Sequence, residues 1–126
     1  LRGIAEREYA DVLLRAAVEG EPGPGRALRM NIEWQALKPM AKDYTVFVHA
    51  IGPDGVLWGQ HDSMPRDGAA PTSGWQPGAV ISDTMRLELK ADAPSGPGYS
   101  YPVGLYLWQT GERLGAGAQD QFIVQP

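Results

Sequence analysis

The fold is decided by Y-T-V-F-V-H-A-I at residues 44–51, followed by G-P-D-G at 52–55 and V-L-W-G-Q-H-D at 56–62. Pro presets φ for a turn, Asp bonds its own backbone and Gly accepts a positive φ, so the stretch predicts a β-hairpin. Its first strand is apolar on both faces, which is typical of a central strand. A long loop rich in Pro and Gly follows over 62–78, and the whole describes half of a small all-β domain.

Further runs alternate apolar and polar residues with the period of two that marks a half-buried strand. Residues 27–37 show the pattern most clearly, with Trp34 in register with four other apolar residues and therefore in the core. Together with the hairpin they give seven strands, which predict one antiparallel β-sandwich, immunoglobulin-like or jelly-roll-like, with strand order left open. The predicted strands span residues 11–19, 27–37, 44–51, 56–61, 80–89, 99–108 and 121–124.

The chain of 126 residues is long enough for one hydrophobic core and too short for two. Residues 1–9 are rich in charge, so we expect a lead-in segment, either a helical turn or a disordered stretch. Residues 10–126 form the predicted single β-sandwich domain. The chain begins with Leu1 and shows no signal peptide, so we expect a mature chain or a domain cut from a longer protein.

Charge and composition exclude several classes of function. The formal net charge of −4 disfavours nucleic acids and anionic membrane surfaces as partners, because both require a basic footprint. The absence of cysteine excludes disulfides, thiolate metal sites and a cysteine nucleophile. No apolar run approaches the roughly 18 residues of a membrane-spanning helix, so direct membrane insertion is not expected.

Several segments together resemble a known family. They are W-Q-A-L-K-P at 34–39, Y-T-V-F-V-H at 44–49, D-G-V-L-W-G-Q-H-D at 54–62, P-T-S-G-W-Q-P-G at 71–78, P-S-G-P-G-Y at 94–99, V-G-L-Y at 103–106 and T-G-E-R-L at 110–114. This set resembles the small β-sandwich domain at the C-terminal, extracytoplasmic end of some bacterial multi-pass membrane glycosyltransferases, and related uncharacterised bacterial proteins. The resemblance covers roughly residues 10–125, with Ala50 standing where the family pattern has leucine.

The resemblance implies an accessory role outside the cytoplasm. The glycosyl-transfer chemistry of such proteins resides in their membrane portion, which this chain lacks. The matching motifs consist mostly of turn and core residues, so they support the fold more than a function and carry no catalytic residues onto this sequence. The implied location is extracytoplasmic, with the domain tethered to the cell membrane by its parent protein.

An aromatic pair near the end of the predicted strand 99–108 is the candidate ligand site. Tyr106 and Trp108 lie opposite the core-facing residues of that strand, about 7 Å apart if both rings share one face. Coplanar rings at this spacing can stack on successive sugar faces, and Trp58 and Trp75 are candidates to extend the surface. The alternative is that a second sheet or a loop covers the rings, above all Trp75 in its long loop.

Histidines and carboxylates gather around the hairpin and its loop, but their spacing matches no metal-ligand motif. We therefore predict no metal and no cofactor. Asp83 shares the parity of its strand's inward residues, and we expect it and Asp62 to accept N–H bonds that hold the 62–78 loop. The sequence has no nucleophile elbow, P-loop or dinucleotide fingerprint, so an enzyme is not predicted. The group comprises His49, His61, Asp62, Asp67 and Asp83.

Two functions follow from this pattern. The first is a non-catalytic module that binds carbohydrate or glycolipid through exposed aromatic rings. The second is a structural or protein-interaction domain with no small ligand, which packs against its parent's membrane portion or another protein. The C-terminal run F-I-V-Q-P at 122–126 reads as an edge strand, and open edges invite strand addition.

Overall fold

The computed structural model describes residues 5–9, 11–115 and 121–125. Within these residues the chain is all-β, so the predicted antiparallel sandwich is confirmed. Two short 3-10 turns, Pro65–Gly68 and Thr72–Gly74, lie in the long loop. The strands are β1 Ala5–Tyr9, β2 Val12–Glu19, β3 Ala27–Ala36, β4 Thr45–Ile51, β5 Leu57–Ser63, β6 Val80–Glu88, β7 Tyr101–Tyr106 and β8 Phe122–Val124.

The strands form two four-stranded sheets in which every pair is antiparallel. The first sheet has the order β1-β2-β3-β6 and the second β5-β4-β7-β8. The chain passes between the sheets after β3, after β5 and after β6. The sequence left open an immunoglobulin-like or a jelly-roll-like arrangement, and this strand order is the immunoglobulin-like one. In immunoglobulin nomenclature, β2 to β8 correspond to strands A, B, C, C′, E, F and G.

The first strand corrects the prediction of a lead-in segment over residues 1–9. Ala5–Tyr9 pairs with β2, with Ala5 opposite Ala16 and Tyr9 opposite Val12, so the sheet begins earlier than expected. The charged residues in this segment led to the wrong prediction, because a strand at a sheet edge tolerates charged residues and natural edge strands often carry them. Residues 1–4 and 10 lie outside the described part of the chain.

The core lies between the sheets, where alternation predicted it. Trp34 is fully buried on β3. On β7 the predicted inward set is buried as well, and β4 is buried along most of both faces, as expected for a strand with a neighbour on each side. The largest fully buried side chains are Trp34, Tyr101, Leu14, Leu28, Met30, Ile32, Leu87 and Leu105.

The connection from β5 to β6 folds back as a packed cap over one end of the sandwich. Trp75 places its ring 6.1 Å from the Trp34 ring, centroid to centroid, and its indole N–H donates to the Ala70 carbonyl at 2.8 Å. Thr72 is fully buried, and its hydroxyl accepts the Tyr44 backbone N–H at 3.0 Å. The loop is therefore held by its own aromatic anchor, as long loops in compact domains often are.

Asp83 fastens the other side of this cap. Its Oδ2 accepts the backbone N–H of Arg66 at 2.8 Å, and the Arg66 side chain donates from Nε to the Ser82 carbonyl at 2.7 Å. The predicted use as an N–H acceptor that holds the loop is confirmed for Asp83 but is wrong for Asp62, whose carboxylate accepts the Tyr106 hydroxyl instead. Arg66 and Asp67 both have positive φ, of 51° and 53°, a conformation that persists only when surrounding contacts fix it.

Replacing the central core ring tests this packing. Trp34→Ala is expected to lower the free energy of unfolding by about 3–5 kcal/mol, because the ring is fully buried and its removal leaves a cavity in the core. Chemical denaturation measures the change. Trp108→Ala is the matched control, since its ring is 74% exposed, and we expect a change below about 0.5 kcal/mol. A loss below about 1 kcal/mol for Trp34→Ala would show that the assigned strand face is wrong.

Candidate functional site

The four tryptophans occupy four different environments. Trp75 is only 4% exposed and hydrogen-bonded in the cap, so its prediction as a ligand-binding residue is wrong. The loop turned it inward because a large ring gains more from burial against Trp34 than from exposure to water. Trp58 packs against the core at the other end of the hairpin and lines a separate cavity beside Glu88. The structure does not bring Trp58 to the surface of Tyr106 and Trp108.

Trp58 is instead committed to the hairpin turn. Its indole N–H lies 3.0 and 3.1 Å from the two carboxylate oxygens of Asp54. This bond holds the pKa of the Asp54 carboxyl below its ordinary value. The same Asp54 carboxylate accepts the Val56 backbone N–H at 3.1 Å, as turn aspartates commonly do. Trp58 therefore stabilises the turn that the sequence predicted at residues 52–55.

Tyr106 and Trp108 both face away from the core, as alternation predicted. Their ring centroids are 6.4 Å apart, but the ring planes are tilted by 42° rather than coplanar. The tilt arises because β7 ends at Tyr106 and Trp108 lies in the following turn, where the Gly111 N–H bonds the Leu107 carbonyl at 2.7 Å. Trp108 is 74% exposed, and Tyr106 is half-buried beneath it.

The chain beyond this turn runs back alongside β7 and brings in a cation. The Leu107 N–H donates to the Glu112 carbonyl and the Leu114 N–H to the Leu105 carbonyl, both at 2.8 Å. This pairing sets Arg113 opposite Tyr106. Gly111 makes the reversal with a φ of +75°, which L-residues rarely adopt.

Phe47 forms the floor of the surface. It points outward from β4, yet it is only 2% exposed, because the Arg113 guanidinium carbon lies 4.4 Å from its ring centroid. The rings of His49 and Tyr106 flank it at 5.0 and 6.2 Å. A cation over an aromatic face is attracted by the ring quadrupole, so Arg113 both covers Phe47 and is held by it.

We refer to six residues of the second sheet's outer surface as the outer-face cluster. Five of them, together with Gly111, line a cavity of about 280 Å³, and the sixth, Trp108, has its ring centroid 6.4 Å from that of the lining residue Tyr106. A larger cavity, of about 570 Å³, lies elsewhere, beside the buried Tyr99 and Tyr101. The outer-face cluster consists of Phe47, His49, Asp62, Tyr106, Trp108 and Arg113.

Charges in the cluster are balanced at neutral pH. The Tyr106 hydroxyl donates to Asp62 Oδ2 at 2.7 Å. Burial, followed by this hydrogen bond, raises the pKa of Tyr106 to about 12, so it remains a neutral donor. Burial lowers the pKa of His49, and the positive charge of Arg113 lowers it further, while the Asp62 carboxylate acts in the opposite direction. Because the net effect is a lower pKa, the imidazole is uncharged at pH 7. The charged side chains of the cluster are therefore one carboxylate, Asp62, and one guanidinium, Arg113.

The predicted group of histidines and carboxylates is divided by the fold. His49 and Asp62 share the outer face, since Asp62 lies opposite Phe47 in the β4–β5 pair. His61 lies opposite the core residue Val48, and Asp83 belongs to the first sheet. Among the described residues, no group of three or more histidine and carboxylate side chains is arranged to hold a metal ion.

Sequence reasoning missed two members of the cluster, Phe47 and Arg113. The sequence predicts that Phe47 lies on a strand buried on both faces, which is correct but does not show that Arg113 covers its ring. Arg113 lies between the predicted strands 99–108 and 121–124, where the sequence predicts no strand, and the structure describes this connection up to residue 115. The local signal for it is Gly111, because a glycine shortly after a strand commonly marks a turn, which allows the chain to return alongside that strand.

Comparison of the chain with protein-family models, with characterised proteins and with solved structures gives no match. Within the described residues, no helix has the length and apolar character needed to cross a membrane.

The coupling between His49 and Asp62 is measurable by NMR titration of the imidazole. We expect the His49 midpoint to lie below 6.5, because burial disfavours the charged ring. Asp62→Asn removes the contribution that raises this pKa, so the midpoint should fall further. Asp67→Asn, in the cap, is the control and should leave it unchanged. A rise of the midpoint in Asp62→Asn would show that the two side chains do not interact as described.

Proposed function

We propose that this chain is a non-catalytic carbohydrate-binding module and that the outer-face cluster is its binding site. The observation that carries the proposal is the exposure of Trp108, 74%, directly beside Tyr106 and a small polar cavity. Tryptophan and tyrosine are enriched at binding interfaces, because each offers a large apolar ring and one polar hydrogen-bonding group. The other large apolar side chains that are exposed in the described part of the chain are less so, at 43–54%, and all are aliphatic: Leu37, Val56, Val80 and Ile123.

The cluster combines the two kinds of contact that a sugar ring needs. One face of a pyranose carries C–H groups that pack on an aromatic ring, and its edge carries hydroxyls that need hydrogen-bond partners. Trp108 supplies the exposed ring. Asp62, His49 and Arg113 supply acceptors and donors within the same cavity. This mixture of an apolar wall and a few convergent polar groups is typical of small-molecule sites.

We further propose that the module belongs to a bacterial surface or membrane-anchored protein and lies outside the cytoplasm. The motifs at residues 34–39, 44–49 and 54–62 support this through their resemblance to the C-terminal domain of membrane glycosyltransferases. On this proposal a glycan or glycolipid handled by the parent protein is the natural ligand. The module needs no cofactor for that role.

A second candidate function is docking to a protein, and the β8 edge favours it. β8 is a three-residue strand at the end of its sheet, and Ile123 on it is 47% exposed. A short edge strand with an exposed apolar residue can pair with a strand of a partner, such as the parent's membrane portion. This candidate uses a different surface from the outer-face cluster, so the two functions can be tested separately.

A glycan array separates the two candidates. We expect the purified domain to bind specific glycans and Trp108→Ala to lose at least about tenfold in affinity, because a sugar–aromatic contact of about 1.4 kcal/mol is removed. Its melting temperature should stay within about 2 °C of the original, since an exposed ring adds little stability. Val80→Ala, an exposed apolar position on the first sheet, is the control and should bind normally. Binding that survives Trp108→Ala would place the site elsewhere, and an empty array would favour the docking function.

A further inference from the structure

We propose that the outer-face cluster receives a single neutral pyranose ring, and neither an extended polysaccharide nor an acidic sugar. This inference rests on the proposed carbohydrate function and names the ligand class. It depends on the tilt of the two aromatic rings, on the size of the cavity and on the charge that faces it.

The tilt argues against a chain of sugars lying along the strand. Two rings stack on successive residues of one flat glycan only when their planes are nearly parallel, but Tyr106 and Trp108 meet at 42°. Tyr106 is moreover half-buried, with its hydroxyl bonded to Asp62. Trp108 is therefore the stacking ring, and Tyr106 forms the wall beneath it. With Trp108 as the one stacking ring, Tyr106 as the wall and Phe47 as the floor, the surface accommodates one sugar residue.

The cavity size supports a single ring. Its volume of about 280 Å³ lies just below the range of about 300 to 1,000 Å³ that is typical of ligand-binding cavities in proteins. The returning segment closes one side, because Gly111 and Arg113 line the cavity opposite the β5 residue Asp62. A sugar that enters from the Trp108 side meets this barrier after one residue. The site therefore suits the end of a glycan, or a monosaccharide headgroup, rather than its middle.

The charges favour a neutral sugar. Arg113 is engaged within the protein: its guanidinium lies over Phe47 at 4.4 Å and donates to Gln121 Oε1 at 3.1 Å. Asp62 is the more exposed of the two charges that line the cavity, since Arg113 is half-buried over Phe47, and Tyr106 is the one described side chain that hydrogen-bonds its carboxylate. Its remaining lone pairs can accept sugar hydroxyls. The carboxylate of a uronic acid placed there would meet a like charge, which costs binding energy.

The roles of the polar residues follow. Asp62 accepts one or two hydroxyls of the sugar, and the Tyr106 hydroxyl fixes the carboxylate in place. His49, uncharged at neutral pH, offers one ring nitrogen as donor and the other as acceptor. No bond is made or broken in the bound sugar, so this remains a binding site.

Isothermal titration calorimetry on the whole chain tests the inference with three sets of probes. The first set is the methyl glycosides of glucose, galactose, mannose and N-acetylglucosamine; the second, methyl glucuronide and methyl galacturonide; the third, linear tetrasaccharides of the neutral sugars. We expect a neutral methyl glycoside to bind at least about tenfold more tightly than its uronide. The reason is that the uronide carboxylate would be repelled by Asp62 at about 4 Å in partly screened surroundings. The matching tetrasaccharide should bind within about threefold of the monosaccharide, since only its terminal residue makes contact.

Asp62→Asn separates the charge effect from loss of the site, because asparagine keeps an acceptor for Tyr106. We expect it to weaken the neutral glycoside and to reduce the discrimination against the uronide to about twofold or less, since the like charge is gone. Asp67→Asn is the control and should change neither.

Each contrary result points to a different failure. Two results would overturn the inference: tighter binding of uronides than of neutral glycosides, or an affinity that grows steadily with chain length. If that binding is lost in Trp108→Ala, the proposed carbohydrate function still stands. An absence of binding to all three sets, together with an empty glycan array, would overturn the carbohydrate function itself and the inference with it.

Discussion

The outer-face cluster depends on how β7 is fixed in its sheet. Tyr101, Val103 and Leu105 point into the core and are fully buried, so this strand can adopt only one register without exposing them. Because side chains alternate along a strand, the same register forces Tyr106 outward. A slip by one residue would bury the site and expose the core. The position of the proposed sugar site is therefore a consequence of core packing rather than of local preference.

The residue at the base of the site also contributes to the stability of the fold, whereas the residue at its outer edge does not. Phe47 lies on the central strand β4, directly opposite Gly104, and is covered by Arg113. Replacing it would remove buried contacts as well as the floor of the cavity. Trp108 lies in a turn beyond the last pair of the strand, and little of it is buried. Function and stability are for this reason most cleanly separated at Trp108.

The sequence contained most of the fold because a period of two in apolar residues is a local signal. It predicted β2 to β8 and the inward faces of β3 and β7, and it predicted the outward direction of Tyr106 and Trp108. It failed for β1, where charged residues conceal an edge strand. The hairpin turn, by contrast, was visible in the Pro-Asp-Gly segment at 53–55 because turn chemistry is also local.

The site was less predictable because its geometry depends on non-local contacts. Whether Trp75 faces water or Trp34 is decided by how a long loop folds back, which periodicity does not encode. The meeting of Arg113 with Phe47 joins residues far apart in the chain through a reversal after β7. The 42° tilt follows from the point at which β7 ends, and strand ends are poorly defined by sequence.

The most direct test of this account is to follow the indole N–H signals of all four tryptophans by ¹H–¹⁵N NMR while a glycan bound by the domain is added. Each indole reports on one environment: the core, the cap, the hairpin turn and the outer face. The account predicts that the Trp108 signal shifts in a saturable manner while those of Trp34 and Trp75 stay in place. A saturable shift at Trp58 or Trp75, with Trp108 unchanged, would contradict it.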